Sequence, residues 1–358
     1  MRSIFFIKKI NLLYFFIIIL SLYISICVSN KPSNLDKDYF VYFNAFNANE
    51  SKEITFNIVT QVCKYFGLTF PYLLFFYCFI SLIIKYKLFI DVFYRKSILT
   101  LVFVIVMYMT CFFPLWEVTQ IRMSVAVGIF VYAIFCVKSE RNKYLILILS
   151  LLFHNSMFVL VGFYLIINFL YKYKWLALVV SLVYIYVCGF VIGLTDYDVY
   201  SSSNWGESYN IFSFKNFFIF LTNSILIYLL IKNKSKEIFF KDTYNLVILN
   251  FMLLVFCIYI GIYYPSVAIR FSDLLLFNTI FALACFSNVS FLRAYKVITA
   301  LILIPFYLNI FFFGSDPMFD FDLFFCGRVS AILLISCINI SFVFCDPSLE
   351  DSIIFLLV

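Results

Sequence analysis

The chain has 358 residues, 65% of them hydrophobic, with a mean hydropathy of +1.04 and only 13% charged residues. That balance excludes a soluble domain of this length and predicts one integral membrane unit over residues 1–358. The net charge of +7 collects in short loops between apolar runs, which is the positive-inside pattern and not a nucleic-acid surface.

The apolar runs predict an all-α, polytopic transmembrane bundle of about 12 spans. Span 1 covers 10–28; it resembles a signal peptide but lacks a clear cleavage site, so it is read as uncleaved. An outer loop, 29–67, carries an amphipathic stretch from Glu53 to Phe66 in which Ile54, Ile58, Val62 and Phe66 recur every fourth position. This predicts a short interfacial helix. Span 2 (68–84) leads to an inner basic loop from Lys85 to Lys96, and span 3 (97–113) stops near Pro114. A tight outer turn from Trp116 to Arg122 enters span 4 (119–137).

The run from Tyr144 to Tyr171 decides the topology. As one helix it would place the following basic loops outside, against the positive-inside bias. Two short arms, 144–153 and 157–171, broken at His154, Asn155 and Ser156, keep every basic loop inside. Spans 175–194, 216–231, 243–263, 271–287, 297–313 and 325–345 follow, with an outer loop at 195–215 and a cytoplasmic tail at 346–358.

On this topology most of the 26 Lys and Arg lie inside, whereas Arg122, Arg270 and Arg328 lie outside, each against an apolar run. An arginine so placed is costly, and its forked donors suit phosphate. His154, Tyr264, Asp316, Asp320 and Asp322 fall at the same level. Arg122 and Arg270 start their spans, where helix N-termini add a favourable field for an anion. Plainer readings stand beside this one: Arg122 paired with Glu117, Arg270 paired with Asp273, Arg328 snorkelling to headgroups, and His154 as an interhelical hydrogen-bonder. His154 near two arginines tends to stay neutral, which suits a general base; Glu117, Asp273 and Asp320 are rival bases. One His excludes a multi-His metal site, and the 11 Cys form no CxxC pair, so no metal or other cofactor is assigned.

The stretch Gln120, Ile121, Arg122, Met123, Ser124, followed some 30 residues later by His154, Asn155 and Ser156, resembles the central signature of the EpsG family. Asp38, Tyr39, Tyr42, Phe46 and Glu53 in the first outer loop, and Arg270 before Phe271, agree with it over roughly 36–300; Arg328 lies beyond it. These are Wzy-like polysaccharide polymerases of bacterial envelopes. The resemblance implies a multi-pass protein of the bacterial cytoplasmic membrane, acting at its outer face without a metal. Its partners would be the lipid bilayer, an undecaprenyl-pyrophosphate-linked oligosaccharide and a candidate chain-length regulator, in O-antigen, capsule or exopolysaccharide synthesis. Arg122 and Arg270 would then hold the leaving pyrophosphate, and His154 would orient or deprotonate the acceptor. Gln120, Ser156, Tyr264, Arg328, Asp38, Tyr39 and Glu53 are assigned to substrate binding. A flippase of lipid-linked oligosaccharide, which should show repeat symmetry, a membrane O-acyltransferase and a purely structural partner of a synthase complex are the rival functions.

Overall fold

The computed structural model describes residues 2–36, 38–48, 53–94, 97–169, 173–193, 208–232, 240–286, 290–314 and 317–319. The expected twelfth span, together with Arg328, Asp316, Asp320 and Asp322, lies outside them. Among the described residues every regular element is helical. In chain order they are α1 (Arg2–Ser29), α2 (Tyr39–Ala48), α3 (Ile54–Tyr65), α4 (Phe70–Phe89), α5 (Ile98–Met107), α6 (Ile121–Cys136) and α7 (Glu140–Phe153). They continue as α8 (Met157–Phe169), α9 (Lys174–Gly193), α10 (Phe214–Lys232), α11 (Phe240–Gly261), α12 (Pro265–Cys285) and α13 (Ser290–Leu308). Six of the described helices are long and apolar enough to cross a bilayer, and four shorter apolar ones accompany them.

Without a hydrophobic drive between helices in lipid, packing and buried polar contacts hold such a bundle together. Helix α12 is buried nearly all round and packs against α10 and α11. There Asn223 Nδ2 donates to Thr279 Oγ1 at 2.8 Å, and Asn250 Nδ2 donates to Asn223 Oδ1 at 2.9 Å. Helix α6 packs against both α4 and α7, and α1 packs along α4.

The short helices α2 and α3 lie over the ends of α4 and α6, joined by a cluster of Tyr42, Phe46, Phe56, Phe70, Tyr77 and Ile121. A Schellman turn ends α3. Gly67, at φ 66°, donates from its N–H to Lys64 O at 3.0 Å, and Leu68 N donates to Cys63 O at 2.8 Å. The periodic stripe Ile54, Ile58, Val62 and Phe66 is the exposed face of α3; Phe56, Thr60 and Cys63 face the protein. The fourfold spacing therefore marks the surface turned away from the bundle.

Three sequence expectations are corrected. Lys85 does not begin a basic loop: α4 runs on to Phe89, and Lys85 is fully buried. The segment from Pro114 to Thr119 is not an exposed turn but a buried wide helical turn, closed by Gln120 N to Leu115 O at 2.9 Å. Proline has no N–H to give, so the helical ladder reopens there. Helix α12 starts at Pro265, a proline suited to a first helical position, so Arg270 sits in its second turn and not at its N-terminus.

The break within the 144–171 run falls at the same three residues that the sequence singles out. Helix α7 ends at Phe153, and His154 adopts extended backbone (φ −154°, ψ 121°). Bonds from Met157 N to His154 O (3.0 Å) and from Phe158 N to Asn155 O (3.1 Å) then restart the chain as α8.

Candidate active site

Glu53 joins the two halves of the candidate site. It precedes α3 in extended backbone, with its side chain 6% exposed. One carboxylate oxygen, Oε2, accepts from Arg122 Nη1, and the other, Oε1, lies 3.2 Å from His154 Nδ1. Three stretches far apart in sequence thus meet at one carboxylate. Arg122 is in the first turn of α6, and its guanidinium lies over the rings of Tyr42 (4.9 Å) and Phe56 (5.4 Å). These aromatic faces favour the cation and orient its plane. The Glu117 pairing weighed for Arg122 is replaced by Glu53.

With Nδ1 protonated and donating to Glu53, Nε2 of His154 is left as an acceptor, which is the tautomer a general base requires. Burial pushes the His154 pKa below its ordinary value. The Glu53 carboxylate opposes that shift, and the charges of Arg122 and Arg270 reinforce it. The net effect favours neutral imidazole.

Asp38 and Tyr39 stand at the start of α2. Burial raises the Asp38 pKa, and the charge of Arg270, then those of Lys31 and Arg122, works against this. Both arginines therefore act on one carboxylate from different helices. Tyr39 packs edge-on to Phe70 at 5.2 Å, and the Lys31 ammonium lies 5.8 Å from its ring centroid. Lys31 is buried against Asp36 at 2.6 Å and donates to Val118 O, which ties the outer loop to the wide turn before α6. Ser156 lies in the break, with Oγ 3.9 Å from Met123 Sδ.

Arg270 and Gln120 line a cleft of about 320 Å³ between the wide turn, α10, α12 and α13. Lys215 and Asp273 form an ion pair of 2.8 Å in it. Tyr264, just before α12, lies with its hydroxyl against Gly193 at the end of α9. The geometry thus gathers Glu53, Arg122 and His154 in direct contact, sets Asp38 within their field, and puts Gln120 and Arg270 on the adjoining cleft.

The EpsG family pattern matches residues 12–317, most of the chain. The chain belongs to the EpsG family. Comparison with curated proteins and with solved structures finds no match. Membership in this family of Wzy-like polymerases identifies a membrane polysaccharide polymerase in general terms. The Glu53, Arg122 and His154 contact lies within the span that the family pattern covers.

Sequence reasoning missed a second polar centre in this EpsG-family chain. Lys85 Nζ lies 2.7 Å from Glu117 Oε1, both side chains wholly buried, and also bonds Ser81 (2.9 Å) and Tyr108 (3.0 Å). Tyr108 donates to the same Glu117 oxygen, and Ser81 Oγ is 2.8 Å from Ser124 Oγ. Glu117, weighed as a rival base, is thus committed to Lys85. The available signal was a Lys and a Glu inside apolar runs, each costly unless paired. Asp273, another rival base, accepts from Lys215 and from Tyr307.

Proposed function

We propose that the chain polymerises undecaprenyl-pyrophosphate-linked oligosaccharide repeat units at the outer face of the bacterial cytoplasmic membrane. The observation carrying this reading is the Glu53 carboxylate bridging Arg122 and His154. It gives a base with its proton-accepting nitrogen set by a carboxylate, beside a cation suited to a phosphate leaving group.

In the proposed step an acceptor sugar hydroxyl gives its proton to His154 Nε2. Its oxygen bonds to the anomeric carbon of the donor, and the bond from that carbon to the diphosphate breaks. Negative charge develops on the leaving diphosphate, where Arg122 and Arg270 stabilise it. Glu53 holds the imidazole in the working tautomer and balances the imidazolium that forms. Asp38, Tyr39, Gln120, Ser156 and Tyr264 are assigned to holding the sugars and headgroup. Arg328 keeps only its place in the sequence. A chain-length regulator is the expected protein partner.

The test is a purified assay with lipid-linked repeat units. His154→Ala and Arg122→Ala should each leave the protein in the membrane and abolish long polymer, with short lipid-linked units accumulating. Full-length polymer from either variant would defeat the assignment.

A further inference from the structure

A helix that stops leaves its last carbonyls to find partners outside it. In α7, which ends at Phe153, Leu152 O accepts from Thr55 Oγ1 of α3 at 2.9 Å. Thr55 comes two residues after Glu53, and Leu152 two before His154. The bond therefore runs beside the 3.2 Å contact between Glu53 and His154 Nδ1. Thr55 Oγ1 itself accepts from the Tyr77 hydroxyl of α4 at 3.3 Å, which directs the threonine's own hydrogen to Leu152. The Tyr77 ring packs on both Phe56 of α3 (6.2 Å) and Phe153 of α7 (6.0 Å). Ile54 beside Thr55, and Leu149 and Leu152 on α7, expose apolar side chains. A carbonyl among lipid-facing groups cannot turn to water instead, so its bond to Thr55 is costly to lose.

We propose that Thr55 is a positioning residue for His154: its bond to Leu152 O sets the approach of α3 to α7 and so holds the Glu53 carboxylate on Nδ1. This rests on the reading in which Glu53 directs His154 as the base, and it names the group that keeps the two together. Glu53 extends from the residue ahead of α3, so its own side chain does not fix where α3 sits against α7. Thr55 does, because it bonds the α7 backbone. Thr55 takes no part in the proton transfer and acts through Glu53. A displacement of about 1 Å near reacting groups can cost about 10²-fold in rate. Losing one hydroxyl loosens the contact without removing either partner, so the expected loss is smaller, about tenfold.

His154 is the single histidine of the chain, so histidine-selective isotope labelling gives one imidazole to follow by NMR. The full-length protein, purified in a neutral detergent through a tag without histidine, is titrated with pH. Burial lowers the His154 pKa, Glu53 raises it, and the charges of Arg122 on α6 and Arg270 on α12 lower it again. Weakening the Glu53 contact therefore lowers the pKa, whereas a general loosening of α3 admits water and raises it. Thr55→Val should move it down, in the direction of Glu53→Gln but less far. The same variant should lower kcat on lipid-linked repeats about tenfold while KM stays within about twofold. Thr55→Ser, which keeps the hydroxyl, should restore both the pKa and kcat. In a Glu53→Gln background Thr55→Val should cost less than about twofold more, because the two changes act through one contact. An unchanged or raised pKa in Thr55→Val, no recovery in Thr55→Ser, or a full tenfold loss on top of Glu53→Gln would each overturn the positioning role. Polymerisation by His154→Ala would instead defeat the base assignment, while the titration would still report whether Thr55 holds Glu53 on the imidazole.

Discussion

Glu53→Gln tests the catalytic reading most sharply, because the change keeps the shape of the side chain and removes only its charge. Gln presents an NH₂ to one of two partners that now meet carboxylate oxygens, so either Arg122 or His154 Nδ1 faces a donor. Glu53 is 6% exposed, but the side chains of Arg122 and His154 are 20% and 19% exposed. Breaking a fully buried pair costs about 3–5 kcal/mol; partial exposure of both partners brings the expected stability loss to about 2 kcal/mol. The activity loss should be larger, about 10²–10⁴-fold in kcat/KM, equivalent to roughly 3–5 kcal/mol of barrier, because the base loses both its tautomer and its counter-charge. The pH dependence has a definite sign. With His154 as the proposed base, activity should require neutral imidazole and so rise with pH through the His154 pKa. Glu53 holds that pKa up against burial, so removing its charge lets the pKa fall further. The acid limb of the variant's residual activity should therefore move to lower pH. The assay is polymer length and initial rate on lipid-linked repeats between pH 5 and 9. Near-parental activity, or an acid limb displaced to higher pH, would refute the role of Glu53.

Three further outcomes are expected. Arg270→Lys should lose activity nearly as fully as Arg270→Ala if a forked phosphate contact matters; parental rates in the Lys variant would reduce Arg270 to a point charge. A cysteine at position 155, introduced into an otherwise cysteine-free variant, should label with a membrane-impermeant maleimide from the outer side; labelling only from the cytoplasm would overturn the assigned sidedness. Lys85→Met should destabilise the detergent-solubilised protein by about 3–5 kcal/mol by stranding Glu117, with most of the loss recovered in Lys85→Met with Glu117→Leu. Equal thermal stability of the single variant and the parent chain would show that this pair is not held as an ion pair.

The sequence discloses those parts of the fold that depend on local composition. Apolar runs locate the helices, and His154, Asn155 and Ser156 interrupt one of them where loop charges also demand a break. Helix limits are less legible near charges. Lys85 adjoins a basic loop and reads as part of it, yet α4 continues beyond it because Glu117, from another segment, supplies the missing counter-charge. Likewise, Pro265 starts α12 before the apolar run is evident, so Arg270 reads as a terminal residue although it lies a turn further in.

Pairings between distant side chains are the least legible feature. Arg122 has Glu117 five residues away, a closer candidate in sequence than Glu53, which lies 69 positions off. The choice between them follows from burial. A wholly buried Lys85 must take the nearest buried carboxylate, which is Glu117, and Glu53 is then the acidic group that the packing of α3 presents to Arg122. Lys85 thereby occupies the carboxylate nearest to Arg122 in sequence, and α3 supplies the one that stands beside His154. If Lys85 and Glu117 were both made apolar, Arg122 should keep Glu53. If Lys85 alone were removed, the stranded Glu117 would compete for Arg122, and polymerisation should fall further in the single variant than in the double one. Equal activity in the two would show that the two polar centres are independent.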